Sequence, residues 1–494
     1  MPTLLTFDLG TTACKVCLWD AGGALLASAD DGYPIHHPRP DWAEQDPADW
    51  WRAAVTAAGR CLAGQDAGRI AAIGLSSQRE GVVPLGKEGE PLSRCVIWMD
   101  RRCRPQAARL AQEFGEGFLH RHTGLAPDPN YTACKLLWTG EHQPELLHAA
   151  QTFLQPRDYL YYRLTGERVT DYTLATRTMM LDIRRLAWWP EMLQRVGVRP
   201  DQFPPIHRSI DAPYRLAPPA ARALGLPTGI PVALGGGDRA CEAVGGGLAG
   251  ERACDSTGTA TQVSMVTDRL PDSFGRVPCG VHAIPGRYLF ELGVTTTASA
   301  MRWLRELLGL GAEDVPRLEQ EAAASPRGAH GLLFFPFLMG ARSTRWNPDA
   351  RGLLLGMSLG HTRGDIARAL MEGVGFEVAA CLDGLRDLGL APGEVVLMGG
   401  GARSALWARI KAEILDLPLC RPRYTEAASL GAALLAARAV DLIDNPDAAA
   451  AEWNPVVEVI QPEPGAHRVY AERRRLFEDT YRALVPLYPR LTLS

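Results

Sequence analysis

The sequence lacks the features that assign a chain directly to membrane or nucleic-acid binding. No apolar run approaches the roughly 20 residues that a membrane helix needs, and the best candidate, residues 332–339, is interrupted by Pro336. The 52 Lys and Arg residues are balanced by 56 Asp and Glu residues, which leaves a net charge of −4. Because nucleic-acid-binding domains carry a basic excess, we predict neither a nucleic-acid partner nor a membrane partner.

The cysteines lack the spacing of a disulfide framework or a zinc site. Eleven cysteines are scattered unevenly, and the C-x-x-C pair Cys14 and Cys17 lies along a predicted strand without a second such pair. The first residues enter a strand directly, which predicts that there is no signal peptide. We therefore expect a cytoplasmic protein with reduced, mostly buried thiols.

Two familiar nucleotide motifs occur in the sequence, one incomplete and the other in the wrong structural context. Residues 81–87 nearly form a Walker A loop, but Glu88 replaces the required Ser or Thr and Pro84 lies in a predicted strand. Residues 245–250 match G-x-G-x-x-G but end a predicted helix instead of following a strand. Neither stretch is therefore interpreted as a nucleotide site.

A short motif that occurs twice is the most informative feature of the chain. The first copy is Phe7-Asp8-Leu9-Gly10-Thr11-Thr12, and the second is Asp255-Ser256-Thr257-Gly258-Thr259. Gly10 and Gly258 lie 248 positions apart, about half of the 494 residues. This distance indicates two related halves, because solenoid repeats are much shorter.

The first copy predicts a strand, a tight turn and a returning strand. Gly10 allows the turn, and the hydroxyls and amides of Thr11 and Thr12 can donate to a phosphate. Asp8 could hold a divalent cation, directly or through water. A single Asp-x-Gly-Thr can also be merely a turn, but two copies at half-chain spacing favour the phosphate interpretation.

Two further strand ends carry candidate site residues. Residues 395–398 predict a strand that enters Gly399-Gly400-Gly401-Ala402 and then a helix, an arrangement that allows close approach to a nucleotide. Asp238 follows a predicted strand and three glycines and begins a predicted helix. Its carboxylate would face a cleft and could act as a general base, although Asp at a helix start can also be only a cap.

The order of the predicted elements indicates an α/β fold. Strands alternate with helices but hairpins also occur, so we expect mixed sheets with helices on both faces. The length suggests two or three domains. Near the end of the second half, Thr425 suits the N-cap of an Ala-rich helix over residues 426–440.

Two motifs in each half of the chain resemble the FGGY family of carbohydrate kinases, within the actin-like ATPase superfamily. One family signature is matched at Gly352, Leu354, Gly356, Met357, Asp365, Ile366 and Ala369, with Leu370-Met371 before Glu372. A second signature is matched in part at Thr132, Lys135, Leu136 and Trp138, with Thr139 where an apolar residue is usual. Residues 42–47 and 399–404 resemble the xylulokinases of this family, and the similarity covers nearly the whole chain.

The resemblance implies two RNase H-like domains with ATP and a sugar in the interdomain cleft. We expect an N-terminal domain over residues 1–248, with the sugar loop and the catalytic Asp, and a nucleotide-binding domain over residues 249–494. By matching position, Asp238 is the catalytic base, and Asp8 and Asp238 lie at the Mg²⁺. The nucleotide positions are Thr11, Thr12, Lys15, Gly258, Thr259, Gly400, Gly401 and Ala402.

The sugar loop departs from the xylulokinase pattern. Xylulokinases usually carry Gln-Met-His-Gly, whereas this chain has Gln78-Arg79-Glu80-Gly81, similar to glycerol kinases and to kinases of the autoinducer-2 signal. Arg79 and Glu80 could fork around two hydroxyls, or pair with each other or with Asp100. The expected substrate-binding residues are Gln78, Arg79, Glu80, Asp238 and Arg239, the last in place of the Asn or Gln of those families.

Three functions stay open at this point. The first is an ATP-dependent kinase of a small sugar, with a ketopentose such as D-xylulose as the leading substrate. The second is a kinase of glycerol, another polyol or a signal sugar. The third is an actin-like ATPase or sensor without sugar turnover, against which the position of Asp238 argues. Since apolar surfaces in this family often make dimers, the chain could also form a homodimer.

Overall fold

The computed structural model describes residues 1–272 and 275–491. The strands are β1 (Thr3–Leu9), β2 (Ala13–Asp20), β3 (Leu25–Gly32), β4 (Glu44–Gln45), β5 (Ile70–Ser77), β6 (Val83–Leu85), β7 (Cys95–Val96), β8 (Thr152–Leu154), β9 (Thr170–Asp171), β10 (Leu181–Asp182), β11 (Ala187–Trp188), β12 (Ile206–His207), β13 (Tyr214–Arg215), β14 (Pro231–Val232), β15 (Gly236–Gly237), β16 (Arg252–Thr257), β17 (Thr261–Thr267), β18 (Cys279–Val281), β19 (Tyr288–Val294), β20 (Leu333–Phe335), β21 (Leu353–Leu355), β22 (Glu394–Met398), β23 (Leu419–Pro422) and β24 (Val456–Ile460). The helices are α1 (Pro47–Cys61), α2 (Arg104–Phe114), α3 (Glu116–Thr123), α4 (Thr132–His142), α5 (Pro144–Ala149), α6 (Pro156–Thr165), α7 (Tyr172–Thr176), α8 (Pro190–Val196), α9 (Pro218–Leu224), α10 (Asp238–Gly245), α11 (Ala298–Leu307), α12 (Val315–Ala324), α13 (Arg363–Arg386), α14 (Ala405–Leu415), α15 (Ala428–Ala439), α16 (Pro446–Trp453), α17 (Ala466–Leu484) and α18 (Tyr488–Leu491).

The described residues pack into two compact units. The first unit takes the described residues of Met1–Gly247, Thr267–Leu289 and Ala427–Pro455, and the second takes those of Leu248–Val266, Phe290–Glu426 and Val456–Ser494. The domain boundary between residues 248 and 249 stays a prediction.

The first unit is built on a mixed sheet in the order β13-β14-β5-β1-β2-β3, with β15 also pairing with β5. β1 runs antiparallel to β2 and parallel to β5, and β5 runs parallel to β14 and β15. β1, β5 and β15 therefore end at the same edge of the sheet. This edge carries Asp8 near the end of β1, Gln78 and Arg79 after β5, and Asp238 after β15.

Helices cover both faces of this sheet, as predicted. Phe7 and its neighbours on one face join an apolar core with Trp50 of α1. On the other face, the Thr6 hydroxyl lies 2.7 Å from the Ser429 hydroxyl of α15. Because successive side chains of a strand point to opposite faces, α1 and α15 sandwich the sheet, and α15 also packs against α10.

The second unit repeats the strand pattern of the first. Its strands β19, β17, β16, β22, β23 and β24 are neighbours in that order. β16 runs antiparallel to β17 and parallel to β22, just as β1 runs antiparallel to β2 and parallel to β5. Both Gly-Thr motifs thus occupy the turn between the first two antiparallel strands of their sheet, and the prediction of two related halves is confirmed.

Two local predictions can be compared with the helices. Asp238 begins α10, as predicted. The prediction that Thr425 caps the Ala-rich helix was wrong, since α15 begins at Ala428 with Ala427 at its N-cap. The Thr425 carbonyl instead accepts the amide hydrogen of Gly399 at 2.9 Å, which holds Thr425 outside the helix.

The structure can also be compared with the predictions about membrane helices and buried cysteines. No helix within residues 1–272 and 275–491 is long and apolar enough to cross a bilayer. All eleven cysteines of the sequence are buried and free, including Cys14 and Cys17 on β2. The predicted burial of the thiols is therefore confirmed.

The packing of α15 against α10 generates a stability prediction. Gly431 lies inside α15, where glycine-to-alanine replacement normally stabilises a helix by about 0.5–1 kcal/mol. Here a Cβ would collide with the carbonyl oxygen of Cys241 in α10. We expect Gly431→Ala to lower the free energy of unfolding in urea by more than about 1 kcal/mol. The control Gly59→Ala, whose Cβ would meet no described atom within 4 Å, should raise it; a more stable Gly431→Ala would contradict this packing.

Candidate active site

Asp8 places a buried acceptor at the end of β1. It lies opposite Lys15 on β2 and beside Ser76 on β5. Among the described residues, its Oδ1 atom is buried and has no hydrogen-bond partner. Burial raises the pKa of Asp8 to about 6, against the lowering effect of the neighbouring Ser76 side chain. The carboxylate of Asp238 adds to the rise, and Lys15 opposes it. A buried carboxylate oxygen without a partner is suited to a cation ligand.

Asp238 offers a second carboxylate at the same sheet edge. Its Oδ1 atom accepts the amide hydrogen of Arg239 at 2.7 Å and lies 3.2 Å from Arg79 Nε. Burial raises the pKa of Asp238, and this effect outweighs the lowering by the guanidinium groups of Arg79 and Arg239. Its side chain is still 36% exposed. Asp238 is therefore a carboxylate of raised basicity that a ligand can reach.

Arg79 is held against the residue before Asp238. A Cβ on Gly237 would lie 2.5 Å from Arg79 Cδ, so the side chain of Arg79 packs directly on the glycine backbone. Arg79 Nε lies 4.0 Å from Glu80 Oε1 but 3.2 Å from Asp238 Oδ1. The ion pair between Arg79 and Asp238 was not predicted. Asp100, which was considered as a partner of Arg79, is instead bound by Arg102 at 2.7 Å.

Glu80 is buried and fixed at every polar group. Its φ of 64° is in the left-handed region. Its carboxylate accepts from Arg177 Nε at 2.6 Å, and its carbonyl accepts from Lys135 Nζ at 2.6 Å. Its amide donates to Gln155 Oε1 at 3.1 Å. Three distant side chains therefore hold a strained backbone that makes the turn after β5.

Of the three partners of Glu80, only Lys135 lies in a motif that the sequence analysis identified. Lys135 belongs to the matched family signature, and the structure gives it a contact, since its ammonium binds the Glu80 backbone. Burial lowers the pKa of this lysine. Arg177 and Gln155 were missed, because no local pattern marks a residue whose partner lies 97 or 75 positions away.

Gln78 connects the loop after β5 with the first Gly-Thr turn. Its amide donates to the Leu9 carbonyl at 2.8 Å, and its Nε2 donates to Gln45 Oε1 at 2.7 Å. Gln45 Nε2 in turn donates to the Thr11 carbonyl at 2.5 Å. Thr12, the next residue, is exposed at the tip of the turn. Gln45 was missed as a site residue, although it lies in a stretch with family resemblance.

The second Gly-Thr turn is anchored differently from the first. The Gly258 carbonyl accepts the Ala298 amide at 3.2 Å, and the Thr259 carbonyl accepts the Ser299 hydroxyl at 2.7 Å. Ahead of the turn, Asp255 forms a buried ion pair with Lys411 at 2.6 Å. The acid of the second copy is therefore neutralised, whereas Asp8 in the first copy is not.

The glycines after β22 pack on the same turn in the second unit. Gly399 has a φ of 72°, and a Cβ there would lie 2.6 Å from the Thr257 carbonyl oxygen. A Cβ on Gly401 would collide with the Thr257 side chain, whereas one on Gly400 would meet no described atom within 4 Å. Ala402 is buried in the short 3₁₀ turn Gly400–Arg403. Of these three glycines, only Gly400 has open space where a Cβ would lie.

The predicted site residues thus fall into one group in each unit. The first unit brings together Asp8, Thr11, Lys15, Gln78, Arg79, Glu80, Asp238 and Arg239 through the contacts given above, and Thr12 follows Thr11. The second unit brings together Gly258, Thr259, Gly400, Gly401 and Ala402 around Thr257. Within residues 1–272 and 275–491 there is no cluster of three or more His, Cys, Asp and Glu side chains that could hold a metal ion. A divalent cation would therefore need further ligands from a substrate or water.

Comparison with known proteins identifies relatives over nearly the whole chain. Models of the N-terminal and C-terminal domains of the FGGY family of carbohydrate kinases match residues 3–245 and 255–440. Xylulose kinase of Escherichia coli (strain K12) is 34% identical over 490 residues, which cover 97% of this chain and 99% of that protein. Glycerol kinase of Alkalilimnicola ehrlichii is 33% identical over 462 residues, which cover 90% of this chain and 91% of that protein.

A solved structure matches the fold as well. The crystal structure of ligand-bound xylulose kinase from Lactobacillus acidophilus superposes with a TM-score of 0.93 at 26% identity and covers 100% of both chains. The predicted fold class, a two-domain α/β protein with mixed sheets flanked by helices as in actin-like ATPases, is confirmed.

The raised pKa of Asp8 predicts a gain in stability on its removal. The folded-state pKa of Asp8, about 6, lies above the ordinary 3.8, so ionised Asp8 destabilises the fold. The resulting loss of stability grows as the pH rises from 4 to 6 and is complete above pH 6. We expect Asp8→Asn, measured by thermal unfolding without divalent cations, to be more stable at pH 7.5 by up to about 3 kcal/mol. The gain should shrink at pH 4.5.

The matched control is Asp30→Asn, which changes an exposed aspartate of β3. It should leave the unfolding temperature nearly unchanged at both pH values. An Asp8→Asn protein that unfolds at or below the parent temperature at pH 7.5 would contradict the desolvation of Asp8.

Proposed function

Because the chain belongs to the FGGY family of carbohydrate kinases, and is therefore an ATP-dependent sugar kinase, we propose that its acceptor is D-xylulose or a related ketopentose. A small-molecule sugar is the partner that this activity requires. The choice of D-xylulose rests on the xylulose kinase that is 34% identical over 97% of the chain. The geometry that carries the chemistry is the Asp238 carboxylate at the start of α10, beside Arg79.

We propose that Asp238 is the general base. Its contacts with Arg79 and with the Arg239 amide both fall on Oδ1, so Oδ2 is the atom to receive the proton of the sugar hydroxyl. The hydroxyl oxygen then bonds to the γ-phosphorus while the bond from that phosphorus to the β–γ bridging oxygen breaks, and ADP leaves. The raised pKa of Asp238 supports this role, because a stronger base takes the proton more readily.

The chemistry also needs neutralisation of the phosphate charge, which Mg²⁺ supplies in kinases when it is bound. The residues present fit this ion, since Asp8 Oδ1 is a buried carboxylate oxygen without a partner among the described residues. We propose that Asp8 and Asp238 hold it, directly or through water. The same site explains why Asp8 keeps a destabilising charge.

For ATP itself, we propose two groups of binding residues, one on the Gly-Thr turn of each unit. Thr11, Thr12 and Lys15 of the first unit and Gly258 and Thr259 of the second are proposed for the phosphates, and Gly400, Gly401 and Ala402 for the adenosine. The support is the turn between antiparallel strands in each copy and the open space beside the exposed Gly400. The formation of a homodimer stays a prediction.

A polyol such as glycerol is the second candidate acceptor. It is favoured by the Gln78-Arg79-Glu80 loop and by the glycerol kinase that is 33% identical over 90% of the chain. In the structure Glu80 is committed to Arg177 and Arg79 to Asp238. We therefore propose that Arg79 contacts the substrate together with Asp238, and that Gln78, Glu80 and Arg239 shape the pocket around them.

A coupled assay of ADP release, with and without a panel of ketopentoses, glycerol and longer polyols, tests this proposal. We expect release that depends on the added acceptor, with the highest kcat/KM for D-xylulose. A preference for glycerol would replace the acceptor and keep the kinase. Equal ADP release with and without every acceptor would instead indicate an ATPase without sugar turnover.

The first kinetic prediction concerns Asp238→Asn. Since general base catalysis contributes roughly 10²–10⁴-fold, we expect kcat to fall by that factor, while ATP affinity measured by calorimetry stays close to that of the parent. The control Asp201→Asn removes a carboxylate that is 73% exposed in the same unit and should keep parental activity. Wild-type turnover in Asp238→Asn would show that this residue is not the base.

The second kinetic prediction concerns Arg79→Ala. The loss of a charge-assisted contact should lower kcat/KM for the sugar by about one to two decades, while KM for ATP changes little. Because Arg79 lowers the pKa of Asp238, the acidic limb of the kcat/KM profile should also move to higher pH. Arg208→Ala, which removes a guanidinium that is 60% exposed, is the control. An unchanged pH profile and sugar kcat/KM would place Arg79 outside the pocket.

A further inference from the structure

Thr173 connects the backbone beside Asp238 to a buried ion pair. The amide of Gly237 donates to Thr173 Oγ1 at 2.9 Å, and the Thr173 hydroxyl donates to Asp171 Oδ2 at 2.7 Å. Thr173 is 3% exposed and Asp171 is fully buried. The hydrogen bonds therefore form without competition from water.

The direction of this chain of hydrogen bonds is fixed by charge. Asp171 Oδ1 accepts from the guanidinium of Arg157 at 2.6 Å, and Arg157 is also fully buried. As the partner of that guanidinium, Asp171 is a carboxylate, which can only accept hydrogen bonds. The Thr173 proton must therefore point to Asp171, which leaves the oxygen lone pair of Thr173 to accept the Gly237 amide.

Asp171 is itself held from several sides. Its Oδ2 atom also accepts from the Thr173 amide at 2.9 Å and from the Ser209 hydroxyl at 2.7 Å. Because Arg157, Ser209 and the start of α7 all converge on it, Asp171 cannot shift without breaking buried bonds. It provides a rigid anchor for Thr173.

The anchored amide belongs to the residue that precedes Asp238. Gly237 ends β15, and Asp238 begins α10 directly after it. Arg79 also packs on Gly237, where a Cβ would lie 2.5 Å from Arg79 Cδ. The position of Gly237 therefore determines where both the Asp238 carboxylate and its Arg79 partner lie.

We propose that Thr173 is a positioning residue for phosphoryl transfer, acting through Gly237 on Asp238 and Arg79. This inference rests on the proposed role of Asp238 as the base. It assigns to the buried Arg157–Asp171–Thr173 chain a function in catalysis besides its contribution to stability. A displacement of the base by about 1 Å can cost 10²-fold in rate.

The kinetic test compares two substitutions of Thr173. Thr173→Val keeps the shape but removes the hydroxyl, and we expect kcat to fall roughly 10- to 100-fold with little change in KM for ATP. Thr173→Ser restores the hydroxyl and should recover most of kcat. Thr178→Val is the matched control, since it removes another buried hydroxyl of the same segment. This hydroxyl donates to the Ala175 carbonyl and accepts from the Met180 amide, whereas the Gly237 amide donates to Thr173.

Amide hydrogen exchange tests the relay without relying on activity. In the parent the Gly237 amide should be protected, and Thr173→Val should speed its exchange, whereas Thr173→Ser and Thr178→Val should not. Ser209→Ala, a milder change, weakens the anchor at Asp171 and should produce smaller changes of kcat and exchange in the same direction. If Thr173→Val does not fold, Ser209→Ala tests whether the hydrogen bonds through Thr173 affect kcat.

Two results would overturn the inference. One is a folded Thr173→Val protein that keeps parental kcat. If Thr173→Val does not fold, a Ser209→Ala protein with parental kcat has the same consequence. The other is a Gly237 amide whose exchange is the same in every variant. A parent protein that phosphorylates no acceptor overturns the proposed function and with it the kinetic claim, while the exchange measurement still decides whether Thr173 holds the Gly237 amide.

Discussion

The desolvation of the Asp8 carboxylate is the constraint on which the account of this site depends. Within the part of the chain that the structure describes, its Oδ1 atom is buried without a hydrogen-bond partner, and its pKa is raised to about 6. The corresponding acid of the second copy, Asp255, is neutralised by Lys411 at 2.6 Å. Because an uncompensated buried charge is destabilising, the cation proposed at Asp8 would supply the compensation that Lys411 gives to Asp255. The two related halves therefore have different electrostatic roles.

The topology of the first sheet explains why the remaining groups lie near this charge. β1, β5 and β15 are parallel neighbours that end at one edge, so Asp8, Arg79 and Asp238 meet there although they are far apart in sequence. The carboxyl ends of parallel strands are where α/β proteins place their ligand sites. Buried contacts then fix the loops beyond those ends: Lys135 holds the backbone of Glu80, and Thr173 holds that of Gly237.

The sequence predicted the parts of this arrangement that depend on local pattern. An apolar run followed by Gly-Thr places Asp8 at a strand end, and three glycines before a helix place Asp238, because these patterns determine where strands stop. The partners of the site were not predictable in this way. Arg177 pairs with Glu80 across 97 positions, and Lys411 pairs with Asp255 across 156. Thr425 shows the same limit, since a tertiary hydrogen bond to Gly399 overrides its preference for an N-cap.

The most direct test of the account is the titration of Asp8 itself. Carbon-13 NMR of protein labelled at the aspartate carboxyl carbons, with the Asp8 signal assigned by its loss in Asp8→Asn, measures the pKa with and without Mg²⁺ and ATP. The account predicts a midpoint near 6 in the free protein and a clearly lower one with Mg²⁺ and ATP, because a bound cation favours the carboxylate. A midpoint near the ordinary value of 3.8 that does not respond to Mg²⁺ and ATP would contradict the claim that Asp8 is a desolvated cation ligand.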